Sequence, residues 1–75
     1  MIPEKYTDAY LELMVKTYNR YEKIPLFFHE VNDWYVLRCG EDGSPNTLIS
    51  EGDIESITDR VHQILKENGL LEFME

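Results

Sequence analysis

The sequence predicts a small α+β domain in the order α-β-β-β-α, a three-stranded antiparallel sheet packed by two helices. Three observations carry that prediction. An apolar stripe at three- and four-residue steps runs from Tyr6 to Ile24. Two aromatic and β-branched runs, 26–31 and 34–39, are separated only by Asn32-Asp33. A second apolar stripe at helical spacing follows Ser50. The 75 residues read as one domain, 1–75, and a domain of that size buries roughly 60% of its unfolded surface.

The first helix is expected over residues 3–24. Pro3 suits a first helical position, where its missing N–H costs nothing. Tyr6, Tyr10, Leu13, Met14, Thr17, Tyr21 and Ile24 share one face, widened by Leu11, Val15 and Tyr18. Asp8, Glu12, Lys16, Asn19 and Lys23 form the opposite, solvated face. Pro25 stops the helix.

Residues 26–31 and 34–39 then pair as a hairpin, since Asn and Asp tolerate the positive φ of a two-residue turn. In that register Val31 faces Trp34, His29 faces Val36 and Phe28 faces Leu37. One sheet face carries Leu26, Phe28, Tyr35, Leu37 and Cys39. The other carries Phe27, His29, Val31, Trp34, Val36 and Arg38. Residues 40–46 hold Gly, Pro, Ser, Asn and Asp, which marks a loop. Residues 47–50 read as a short third strand. A second helix is expected over 51–68, with Ile54, Ile57, Val61, Ile64 and Leu65 on its core face. Ser50 with Asp53 resembles a capping pair. Gly69 is its left-handed stop, and Leu70 folds back onto the last turn. The apolar tail at 70–74 is expected to dock.

The chain holds 15 Asp and Glu against 7 Lys and Arg, a net charge of −8. Residues 1–39 are almost balanced at −1, and residues 40–75 carry −7. That sign argues against direct nucleic-acid binding, because phosphates would be repelled. No run of about 18 apolar residues suggests a membrane span, and the N-terminus lacks the pattern of a signal peptide. A single cysteine fits a reducing cytoplasm.

The most informative constellation is acidic. Glu51, Glu55, Asp59 and Glu67 stand at four-residue steps, with Gln63 filling the gap. On a helix such steps keep one face, about 6 Å apart. Asp53 flanks the row, and Glu41 and Asp42 extend it from the loop. A row of carboxylates imitates the phosphates of a nucleic-acid strand. Part of it has a simpler origin, because acids favour a helix N-terminus; that does not account for Asp59 or Glu67. The second constellation is aromatic. Most of the nine aromatic residues are needed for the core. Trp34, with Phe27, Val31 and Val36, becomes an interface candidate if its sheet face is left bare.

Other chemistry finds little support. Cys39 and His29 fall on opposite sheet faces, so no nucleophile and base meet. Zinc needs more ligands at closer spacing than His29, Cys39 and His62 provide. Residues 42–53 imitate a calcium loop, but its required glycine is Thr47 and no helix precedes it. The glycines are scattered, so no phosphate-cradling loop is present. No cofactor is expected.

In size and charge the chain resembles the small acidic proteins with which phages and mobile elements block host enzymes. Anti-restriction proteins, anti-CRISPR proteins and toxin-neutralising immunity proteins are of this kind. The resemblance rests on bulk properties and on no residue motif. It implies a non-enzymatic inhibitor that occupies a basic, nucleic-acid-binding surface of a protein partner. Glu41, Asp42, Glu51, Asp53, Glu55, Asp59 and Glu67 would steer the encounter, and Trp34 would supply affinity. The alternative is a structural or regulatory subunit, or an immunity-type protein, that dimerises or docks through the aromatic sheet face. The chain is therefore expected to be a cytoplasmic monomer or homodimer.

Overall fold

A computed structural model describes residues 1–40 and 46–74. The order is α1 (Asp8–Tyr21), β1 (Leu26–Val31), β2 (Trp34–Cys39), β3 (Thr47–Gly52), α2 (Ile54–Glu67) and a closing 3-10 turn (Leu71–Phe73). The sheet is antiparallel in the order β1-β2-β3. The chain has the α+β fold that its patterning predicts.

Helix α1 is shorter than predicted at both ends. Tyr6 takes a left-handed φ of 66°, which ends any helical run from Pro3. Thr7 then caps α1, its hydroxyl accepting from the Tyr10 N–H at 3.2 Å and donating to the Glu4 carbonyl at 2.7 Å. A threonine cap satisfies an orphan amide that a proline start leaves open. At the other end Glu22 is already extended. Ile24 precedes Pro25, and the proline ring disfavours helical backbone there. Asn19, expected on the solvated face, ties the helix to the sheet. Its amide donates to the Leu26 carbonyl at 2.8 Å and accepts from the Leu26 N–H at 2.7 Å.

The hairpin has the predicted register, Val31 opposite Trp34 and His29 opposite Val36. Asn32 and Asp33 sit at φ 51° and 65°, the left-handed pair of a type I′ turn. Strand β3 runs two residues further than predicted. A bulge shifts its register between Leu37, opposite Ser50, and Arg38, opposite Leu48. Ile49 is the extra residue and packs against the core. Gly40, at φ 149°, lets the chain leave β2 close to Asn46; a Cβ there would stand 2.9 Å from the Asn46 Cα.

Helix α2 starts at Ile54, three residues later than predicted. Asp53 is its cap, accepting from the Ser56 N–H at 2.8 Å. It ends as expected. Gly69 is left-handed at φ 69°, the Leu70 N–H bonds the Leu65 carbonyl at 2.9 Å, and Leu70 is buried. These are the bonds of a Schellman motif. The tail docks: Leu71 and Met74 pack on the core, and the Phe73 ring lies 4.9 Å from that of Tyr21.

The core joins Tyr10, Leu11, Met14 and Val15 of α1 to Leu26, Tyr35 and Leu37 of the sheet and Ile57, Val61 and Leu65 of α2. Both helices therefore cover the same sheet face. The α1 stripe is rotated from its predicted centre, because Leu11 and Val15 are buried while Tyr21 is exposed; Tyr6 and Ile24 lie outside the helix and are exposed as well. Tyr35 reaches through this layer to donate its hydroxyl to the Asp8 carboxylate. That bond, with burial second, pushes its phenol up to about 12.

Candidate functional site

The face that neither helix covers is the one bearing Trp34. Phe27, His29 and Val31 on β1 stand opposite Arg38, Val36 and Trp34 on β2. Glu51 on β3 stands opposite Val36, and Leu48 opposite Arg38. Directly opposed residues project to one side of a sheet, so β3 adds a leucine and a carboxylate to this platform. Val31, Trp34 and Leu48 remain 61%, 49% and 45% exposed. The Trp34 indole N–H donates to Glu51 Oε1 at 3.1 Å.

Glu51 was expected to head the acidic row on the second helix. It lies instead in β3, because α2 starts only after the Asp53 cap. The helix cannot begin earlier, since Gly52 is strand-paired to Tyr35 and buried. Asp53 serves the helix terminus directly. Its carboxyl is held below the usual range, first by the bond from the Ser56 backbone. The row that remains on α2 is Glu55, Asp59 and Glu67, all exposed. The rise of a helix places Glu55 about 6 Å from Asp59, and Asp59 about 12 Å from Glu67. Asp59 also accepts from the Tyr6 hydroxyl at 3.0 Å, a link between the N-terminal segment and α2 that periodicity does not reveal. Glu41 and Asp42 lie outside the described residues.

The acidic residues thus divide between two surfaces. Glu55, Asp59 and Glu67 face solvent on the helical layer. Glu51 lies on the opposite, sheet side with Trp34. Sequence reasoning named both residues of that pair but placed them apart. The missed signal is the Ser50-Glu51-Gly52-Asp53 stretch, where an aspartate cap after a glycine competes with Ser50.

His29 is exposed on the open face and Cys39 half-buried on the covered one, so they do not meet. Thr47 to Gly52, inside the calcium-like spacing, form a strand. Among the described residues no group of three His, Cys, Asp or Glu is placed to hold a metal ion. A shallow groove of about 420 Å³ runs between α1 and β1, lined by Glu12, Val15, Lys16, Asn19, Leu26, Phe27 and Phe28. Among the described residues no helix is long and apolar enough to cross a membrane. Compared with protein-family models, curated proteins and solved structures, the chain matches none.

Proposed function

We propose that this chain is a non-enzymatic binding protein of the cytoplasm that occupies a basic, nucleic-acid-binding surface of a protein partner. The observation that carries this reading is the exposed row Glu55, Asp59 and Glu67 on α2, in the half of the chain that holds −7 of the −8 net charge. Exposed charge of one sign steers a partner of the other sign and accelerates encounter. Competition with nucleic acid for the same surface is the natural means of inhibition.

Capture from the native host lysate at low and high salt isolates the partner. Glu55→Lys with Asp59→Lys then changes the charge by four units. Binding to the captured partner is expected to fall roughly tenfold at low salt, with the gap closing as salt screens the charges. Unchanged affinity and an unchanged salt slope would remove the reading.

A second reading has its own support. Val31, Trp34 and Leu48 stay exposed on a sheet face without a helix, and such patches mark protein contacts. Under that reading the acids only keep the chain soluble, and the chain is a subunit that dimerises through this face. Sedimentation separates the two: a stable dimer that Trp34→Ala dissolves favours the second.

A further inference from the structure

Trp34 and Glu51 are predicted binding residues that the fold brings into contact. Their hydrogen bond engages Glu51 Oε1 at 3.1 Å. A carboxylate offers two oxygens, and among the described residues only Oε1 is engaged, which leaves Oε2 to accept from a partner. The bond also holds the carboxylate beside the indole. A cation seated there gains twice, from the carboxylate and from the negative face of the ring.

The surroundings favour one kind of cation. Val31 stands opposite Trp34, and Val36 opposite Glu51, so the seat is rimmed by aliphatic side chains. A guanidinium is planar, weakly hydrated and stacks on aromatic rings, while an ammonium holds its water tightly. Arg38 shares this face, two residues beyond Val36, opposite Leu48. Among the described residues of this platform the negative charge lies at its Trp34 end, which marks where a cation sits.

We infer that Trp34 and Glu51 together receive the guanidinium of an arginine presented by a basic protein partner. This rests on the reading of the chain as a binder of basic surfaces, and it moves the centre of recognition from α2 to the open sheet face. Glu55, Asp59 and Glu67 then guide the approach without touching that arginine.

The chain has one tryptophan, so its indole N–H gives a single resonance. The test titrates the full chain with acetylated, amidated tetra-arginine and tetra-lysine at low salt, followed by amide and indole NMR shifts. The indole signal is expected to move saturably, with tetra-lysine binding roughly threefold more weakly. Glu51→Gln keeps an acceptor for the indole and so keeps the geometry. It is expected to weaken tetra-arginine roughly fivefold while the amide spectrum stays dispersed. An unmoved indole, equal affinity for the two peptides, or an indifferent Glu51→Gln overturns the inference. Shifts confined to α2 would overturn it while sparing the acidic-surface reading. No shift anywhere would sink both.

Discussion

Two buried threonines with opposite hydrogen bonding give a direct test of the packing. Thr58 lies on the core side of α2, is 0% exposed, and its hydroxyl finds no hydrogen-bond partner among the described residues. Thr17 on α1 is nearly as buried, but its hydroxyl donates to the Leu13 carbonyl at 2.8 Å. A buried hydroxyl left unmade costs about 1–3 kcal/mol. Thr58→Val keeps the β-branched shape, which valine and threonine tolerate equally in a helix, and replaces the orphan with a methyl group. Stability should rise by about 1 kcal/mol, the low end because local relaxation recovers part of the cost. For a domain of this length that raises Tm by roughly 4–8 °C. Thr17→Val removes a made bond and should be neutral or destabilising by up to about 1 kcal/mol. Urea unfolding followed by far-UV circular dichroism measures both, with an unchanged m-value showing that only stability moved. If Thr58→Val loses stability while Thr17→Val does not, the hydroxyl has a partner in solution and the reasoning is refuted.

Further predictions concern pH. Asp53 titrates below the usual carboxylate range because the Ser56 amide bonds its charged form. Its contribution is present above the ordinary carboxylate pKa and is lost as pH falls through the depressed value. Asp53→Asn keeps the cap and should flatten the acid side of a Tm-against-pH curve; an unchanged curve would contradict the cap. Tyr35 runs the other way. Its phenol is raised to about 12 by the bond to Asp8. That contribution is complete below the ordinary tyrosine value of about 10 and disappears as pH climbs towards 12. Tyr35→Phe should cost about 1 kcal/mol at neutral pH. It should also remove one late-ionising tyrosine from the ultraviolet titration, and loss of an early one would show that the assignment is wrong.

Local pattern made most of the fold legible. The hairpin register followed from Asn32-Asp33, because only a two-residue turn with positive φ joins strands that close. The Gly69 stop followed for the same steric reason. The helix starts were less legible, since apolar periodicity does not say which polar residue caps the first turn. At α1 the start expected at Pro3 gives way to the Thr7 cap, and at α2 the expected Ser50–Asp53 pair gives way to Asp53 alone. A cap wins by the hydrogen bond its side chain makes in three dimensions, as Thr7 makes with Tyr10 and Asp53 with Ser56. Three residues of error at α2 were enough to move Glu51 from a helix to a strand, and so from one side of the molecule to the other.

By itself the sequence determined the α-β-β-β-α order, the two sheet faces and the concentration of charge after residue 39. These depend on periodicity, turn chemistry and counting, which are local or additive. Only the tertiary structure decided which sheet face the helices cover, and therefore that Trp34 stands in the open. It alone set Glu51 against Trp34 and away from Glu55, Asp59 and Glu67. Burial of Leu26, Tyr35 and Leu37 against both helices is the cause. A sheet packed on one side must leave the alternate side chains facing water, and no run of sequence states which side that is.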